Sequence, residues 1–316
     1  LKLLSLHAAD APHPAVLIGE DVLDLVLARA EISLAHCVPQ TMRQLIESGP
    51  EGLHILARVA ALASGSAVQS RLRAAGAWMQ FSDARLAPVV PDPNVMLSGS
   101  MNSRGHLLEM GDELPMTPCA FHKVPSAIAA SGADILPPPD HGHMLDWEGE
   151  FCAVIGARCH RVTPEQAEAY ILGYTLTNDI SAREYVRPFV TSTGAARSAQ
   201  AWENNVLGKN FPGFSPIGPV IATKDEFPSP LSYHLETVVN GERMQSSTEA
   251  DLVFTPPQMV AYFSQFYIFQ PGDIISMGSP PGVGMARKPP MFLKPGDVVE
   301  VHCKQIGALV NRIAPG

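Results

Sequence analysis

Asp146-Trp147-Glu148-Gly149-Glu150-Phe151-Cys152-Ala153-Val154-Ile155 is the stretch on which the reading of this chain turns. Its apolar half, Phe151 to Ile155, reads as a buried strand. Side chains at i and i+2 of a strand share a face, so Glu148 and Glu150 lie side by side. Two carboxylates at the buried end of a strand repel each other and cost several kcal/mol to desolvate unless a positive charge sits between them. A hard divalent cation meets that need. Asp179, just beyond a second apolar run from Ala169 to Leu176, can add a third oxygen. An all-oxygen set without His or Cys favours Mg²⁺, Mn²⁺ or Ca²⁺ over Zn²⁺. An isolated Glu-x-Glu pair usually faces solvent; the surrounding residues argue otherwise here.

The chain has 316 residues, enough for one large domain or a large one with a small one beside it. Only 17% of residues are charged, while Pro (29) and Gly (25) are plentiful, which suits short strands and turns better than a helical bundle. The net charge of −9 and the scattered basic residues exclude a nucleic-acid surface. No apolar stretch approaches the length of a membrane span. Leu3 to Leu6 is too short for a signal peptide and is broken by His7 to Pro14. Cys37, Cys119, Cys152, Cys159 and Cys303 contain no Cys-x-x-Cys pair, so reduced structural thiols and a cytoplasmic location are expected.

Residues 1–87 read as a small N-terminal unit. Ala15 to Ile18 and Val22 to Val26 form a hairpin across Gly19-Glu20, followed by helices over Thr41 to Ile46 and Pro50 to Ala63. Beyond the Pro-rich joint at Pro88 to Pro93 the texture changes to short strands broken by Gly and Pro. Strands are expected near Val95, Ala120, Phe151, Ile217, Ser232 to Val239, Asp273 and Val298, with a hairpin turn at Asn240-Gly241. Thr163-Pro164-Glu165-Gln166 is a capping box, and a second helix is expected over Pro257 to Phe266. The class is mixed α+β, mainly β, with residues 88–316 as the main domain.

Four further clusters carry chemistry. In Asn102-Ser103-Arg104-Gly105-His106-Leu107-Leu108-Glu109, one helical turn brings His106 to Glu109. A carboxylate beside an imidazole orients it and raises its basicity, the arrangement that deprotonates water. Alone, such a spacing is weak. The others are Phe121-His122-Lys123, Gly208-Lys209-Asn210 and Gly278-Ser279-Pro280-Pro281-Gly282-Val283-Gly284. The glycine-rich turn lets backbone N–H groups approach a ligand oxygen, but it lacks the Gly-Lys-Ser/Thr ending of a nucleotide phosphate loop. His141 and His143 form a His-x-His on a Pro-rich loop with no third soft ligand in sequence, a poor zinc site.

Together these motifs resemble the fumarylacetoacetate hydrolase family over roughly residues 90–312. Asp146-Trp147-Glu148-Gly149-Glu150 to Gly156, Gly173-Tyr174-Thr175 to Asn178-Asp179-Ile180-Ser181-Ala182-Arg183-Glu184, and Asn240-Gly241-Glu242 to Gln245 and Thr248 follow the family's pattern in order. Pro271-Gly272-Asp273, the Gly278 turn and Leu293-Lys294-Pro295-Gly296-Asp297 complete it. The resemblance implies a distorted β-roll, a homodimer, and Mg²⁺ or Mn²⁺ (or Ca²⁺) held by Glu148, Glu150 and Asp179. It implies that His106 with Glu109 activates water, that Lys209 stabilises an oxyanion, and that Arg183, Asn102, Lys123, Gly278 and Ser279 serve the substrate. Ser103 stands where the family usually has Tyr, and Val186 where it often has a substrate-contacting Gln. Trp202 reads as core in preference to an aromatic contact to the ligand, and Arg187 to Leu207 as a mobile pocket wall.

The expected activity is hydrolysis of a C–C bond in a β-diketo acid, such as an acylpyruvate or a fumarylpyruvate-like ring-cleavage product, by water activated at His106. Isomerase or tautomerase, decarboxylase or dehydratase chemistry on a 2-oxo or 2-hydroxydienoic acid passes through the same enolate and stays open. So does a non-catalytic small-molecule-binding role on the same fold.

Overall fold

The computed structural model describes residues 1–111, 113–139, 142–186 and 193–315. His141, of the His-x-His pair, lies outside the described residues. The N-terminal segment gives strands Lys2–Leu6 (β1), His13–Ile18 (β2), Asp21–Asp24 (β3) and Trp78–Gln80 (β4), with helices Met42–Glu47 (α1), Gly49–Ala63 (α2) and Ser66–Ala74 (α3) between the last two. Then follow Met96–Ser100 (β5), helix Arg104–Met110 (α4), Cys119–His122 (β6), Ile128–Ala130 (β7), Asp134–Ile135 (β8) and Leu145–Asp146 (β9). Gly149–Ile155 (β10) and Ile171–Asn178 (β11) flank the short helix Pro164–Ala167 (α5). Ser181–Ala182 (β12), helix Ala195–Leu207 (α6), Ser215–Thr223 (β13), His234–Val239 (β14) and Glu242–Thr248 (β15) come next. Helix Pro256–Phe263 (α7), Ile274–Ser276 (β16), Val298–Cys303 (β17) and Gly307–Ile313 (β18) close the chain.

The large sheet runs β4-β3-β2-β1-β13-β11-β10-β16-β5-β6, and a second sheet runs β15-β14-β17-β18-β8. Mixed, mainly β architecture is therefore what the structure shows, as the texture of the sequence predicts. Strand β10 shows why the layers stack as they do. Its side chains alternate, Phe151, Ala153 and Ile155 entering one core and Cys152 and Val154 another. The first core joins the two sheets, with the Phe151 ring stacked 3.9 Å from Tyr233 and 4.9 Å from Tyr174. The second lies under α1 to α3 and includes Leu45, Ile46, Leu56 and Val59. Residues 1–87 thus share a core and a sheet with the rest of the chain, since β1 pairs antiparallel with β13. Position 87 is a change of texture rather than a break in packing.

The capping box at Thr163 and Gln166 is present and starts α5, and a second, at Thr255 and Gln258, starts α7. The stretch expected to be a mobile wall is, over Ala195–Leu207, a helix. Its polar composition hides one buried stripe, Ala201 and Asn205, spaced one turn apart. The rest of that wall, residues 187–192, lies outside the described residues.

Close approach of backbones fixes the centre of the large sheet. A Cβ placed on Gly173 would sit 2.2 Å from the Ala222 carbonyl oxygen and 2.7 Å from Thr223 Cα. Because both neighbours are backbone, β11 and β13 would have to separate. Gly173→Ala is expected to cost about 1–3 kcal/mol, read as a lowered urea midpoint; an unchanged midpoint would show that this seam does not govern stability.

Candidate active site

The site grows from the register of β10 against β11. Gly149 faces Asn178 in the antiparallel ladder, so the start of one strand meets the end of the other. Asp179 N–H donates to the Glu148 carbonyl at 2.8 Å, and Asn178 Oδ1 accepts from Glu148 N–H at 2.9 Å. Residues thirty positions apart thereby become neighbours. Glu148, Glu150 and Asp179 are all buried, and each offers an oxygen within 4.8 Å of the others.

Three cations answer this charge. Lys209 Nζ donates to Glu148 Oε2 (2.7 Å), Asp179 Oδ2 (2.8 Å) and Ser181 Oγ (2.7 Å). Lys123 Nζ donates to Asp179 Oδ1 (2.6 Å) and to the Lys209 carbonyl. Arg183 spans Glu148 Oε1 (2.5 Å) and Asp146 Oδ2 (2.8 Å). Burial opposes the charge of Glu148, but Lys209 and Arg183 outweigh it and hold its carboxyl at about 2. Burial also opposes the charge of Lys209, and Asp179 and Glu148 outweigh that, keeping its ammonium above the ordinary range. For Lys123 burial prevails over Asp179 and pulls the ammonium below its usual value.

Glu150 is treated differently. Among the described residues, its side-chain hydrogen bond comes from the neutral Ser276 hydroxyl, and no salt bridge reaches it. Burial, followed by repulsion from Asp179 and Glu148, pushes its carboxyl well above the ordinary range. The donor set therefore fits a hard cation: three carboxyl groups converge, and the ionised form of Glu150, which burial and its acidic neighbours disfavour, would gain a positive partner from the ion.

Asp146 and Gln245 hold the frame, a role the sequence motifs contained without disclosing. Asp146 is fully buried and accepts from Trp147, Gly284 and Met285 N–H as well as Arg183. Gln245 Oε1 accepts from Gly149 N–H at 3.0 Å, and its Nε2 donates to Ser279 Oγ (3.0 Å) and the Pro280 carbonyl (2.8 Å). It thus ties the glycine-rich turn, where Gly278 has φ +83°, to the strand bearing the carboxylates. Ser276 carried no sequence signal at all.

His106 Nδ1 lies 3.3 Å from Glu109 Oε2 on α4. Ser103, in place of the Tyr seen in the pattern, caps this helix by accepting from His106 N–H. Asp251 accepts from Ser103 Oγ and from Gly105 N–H, and Glu109 accepts from Gly282 N–H, so three contacts from elsewhere position the dyad. His106, Glu148, Asp179, Arg183, Lys209 and Ser279 line one cavity of about 280 Å³. Asn102 does not line it: its amide donates to the Phe254 and Met277 carbonyls and accepts from Phe254 N–H, pinning backbone. Lys123 stands behind Asp179, and Gly278 behind Ser279, rather than on the cavity wall. Trp202, expected in the core, is half-buried on that wall, its ring edge-on to Phe121.

The family description "Fumarylacetoacetate (FAA) hydrolase C-terminal" matches residues 97–314. The mitochondrial oxaloacetate tautomerase FAHD2B of Bos taurus is 36% identical over 276 residues, 87% of this chain and 80% of that one. The oxaloacetate tautomerase YisK of Bacillus subtilis is 32% identical over 299 residues, 93% of each chain. Among solved structures, the fumarylacetoacetate hydrolase of Exiguobacterium antarcticum superposes with a TM-score of 0.76 at 25% identity, covering 100% of this chain and 99% of that one. The chain belongs to the fumarylacetoacetate hydrolase family.

Metal binding can be read without turnover. Mn²⁺ or Mg²⁺ is expected to raise the thermal midpoint, by about 2.7 kcal/mol of stabilisation at a hundredfold excess over Kd, and EDTA to reverse it. Glu150→Gln is expected to remove most of that shift while leaving the metal-free protein at least as stable as wild type, because it replaces a buried carboxyl group that no salt bridge reaches among the described residues. An undiminished metal shift in the variant would take Glu150 out of the ligand set.

Proposed function

We propose that this member of the fumarylacetoacetate hydrolase family is a divalent-metal-dependent hydrolase that cleaves a C–C bond in a β-diketo acid of the acylpyruvate type. The observation that carries this reading is the His106–Glu109 pair, 3.3 Å apart and on the wall of the cavity that Glu148, Asp179 and Lys209 also line.

Glu109 accepts from Nδ1–H of His106, which fixes the tautomer and leaves Nε2 as the base. Nε2 takes a proton from water, and the hydroxide oxygen bonds to the distal carbonyl carbon of the diketo acid. Collapse of the tetrahedral adduct breaks the C–C bond. The electron pair goes to the methylene carbon of the departing 2-oxo acid, which leaves as the enolate and is protonated by His106. Mg²⁺ or Mn²⁺ held by Glu148, Glu150 and Asp179 would supply Lewis-acid polarisation and an anchor for the 2-oxo acid.

Lys209 reaches the cavity with its three donors already on Glu148, Asp179 and Ser181. Its role at an oxyanion therefore requires exchange of the weakest of these acceptors, the neutral Ser181 hydroxyl. Arg183 is held by Asp146 and Glu148, so it orients the carboxylate floor and meets substrate with its remaining edge.

A second reading, keto–enol tautomerisation of a 2-oxo acid, is favoured by the two relatives named as oxaloacetate tautomerases. It needs proton transfer at carbon but no attacking water. The homodimer belongs to the same proposal and is tested by sedimentation at micromolar concentration.

Following acetylpyruvate with Mn²⁺ separates the readings. Hydrolysis releases pyruvate as the enol absorbance falls, whereas tautomerisation removes the absorbance without pyruvate. His106→Ala is expected to lower pyruvate release at least about 100-fold, while metal-assisted loss of the enol stays measurable. Equal loss of both would remove His106 from the water-activating role.

A further inference from the structure

The cavity has two chemically different ends. Its floor is the charged cluster of Glu148, Asp179, Arg183 and Lys209. Its walls are mainly apolar, Met101, Leu107, Met110, Phe121, Val186, Trp202 and Met285, with Ser100 and Asn205 as their neutral polar members. Phe121 and Trp202 meet edge to face with ring centroids 6.3 Å apart, making a stiff aromatic corner. Past Met101 and Trp202 the wall continues into a second groove of about 500 Å³, where Pro118, Ala120, Tyr262, Phe263 and Phe266 outnumber the polar Ser100. An apolar channel thus runs from the carboxylate cluster toward the surface.

A dicarboxylic substrate would place its second carboxylate in this channel. Burying a carboxylate against methionine, valine and tryptophan requires a cation or several hydrogen-bond donors. Among the described residues lining the cavity, the fixed cations are Arg183 and Lys209, both held at the floor by Asp146, Glu148 and Asp179, and the wall adds only one hydroxyl, Ser100, and one amide, Asn205, too few donors to replace the hydration of a carboxylate. Val186, 8% exposed, offers only methyl groups at the junction of floor and wall.

Resting on the proposed reading of this site as one for 2-oxo acids, we propose that it selects a substrate whose distal end is a neutral alkyl or aryl group over one that ends in a second carboxylate. Val186 and Trp202 are the specificity-determining residues. The floor takes the 2-oxo acid, and the wall takes the acyl chain.

The test uses the full chain with Mn²⁺ and straight-chain acylpyruvates from acetyl to hexanoyl, beside fumarylpyruvate and oxaloacetate. Each added methylene is expected to raise kcat/KM about threefold until the channel is filled, and hexanoylpyruvate to exceed both dianions at least tenfold. A flat or falling series, or preference for a dianion, overturns the proposal. If no acylpyruvate is cleaved, the hydrolase reading fails and ligand-induced thermal shifts decide the specificity. A larger shift with 2-oxooctanoate than with oxaloacetate supports the apolar wall, and an equal or smaller one overturns it. Trp202→Ala is expected to flatten the chain-length series, and Val186→Lys to move the hexanoyl-to-fumaryl ratio at least tenfold toward the dianion. These are ratios within one variant, so a general loss of folded protein does not imitate them. Ratios unchanged in both variants also count against the proposal.

Discussion

Negative charge gathered at the paired ends of β10 and β11 is the constraint from which the rest of the structure follows. Asp146, Glu148, Glu150 and Asp179 are all buried there, and Lys123, Arg183 and Lys209 are buried with them. Among the described residues, four carboxyl groups meet three cations there, and the one without a salt bridge is Glu150. Breaking a buried pair strands its partner at a cost of about 3–5 kcal/mol. The segments that deliver the cations, after β6, β12 and α6, are therefore held to positions that the ladder alone would not demand. A centre that leaves one buried carboxyl group without a salt-bridge partner is suited to receive a cation.

Against this rigid floor the His106–Glu109 pair, proposed to activate water, is mounted lightly. Helix α4 has seven residues, too few to be stable by its own hydrogen bonds. Its place is set by contacts to Asp251 and Gly282, two points on loops distant in sequence. His106 and Glu109 remain about one-quarter exposed while the carboxylates are sealed. Floor and dyad thus answer to different forces, the first to desolvated electrostatics and the second to capping and loop contacts. The apolar wall, from Met101 to Met285, answers to neither and is free to set what the site accepts.

Much of this was legible from spacing. Glu148 and Glu150 share a face because strands repeat every two residues, and His106 meets Glu109 because helices bring i and i+3 together. The order of motifs led to the fold. Elsewhere the signal was absent. Lys2–Leu6 reads as a short apolar stretch, yet it becomes the strand joining the N-terminal segment to β13, more than two hundred residues away. Trp202 was expected in the core because large aromatics usually are buried; it stands instead on the cavity wall. Asn102 lies in a motif that suggests substrate contact, and its amide is taken up by backbone at Phe254 and Met277.

The sequence by itself determined the strand and helix periods, the identity of the three adjacent carboxylates and of the imidazole–carboxylate pair, and the mainly β class. These are consequences of backbone geometry over a few residues. Only the tertiary structure decided which cation meets which carboxylate, that Glu150 has no salt bridge among the described residues, and that a mainly apolar channel opens above the charged floor. Those outcomes depend on strand order and register, which bring together residues such as Lys123, Asp179 and Lys209 from separate parts of the chain, and no local pattern encodes the distance between them.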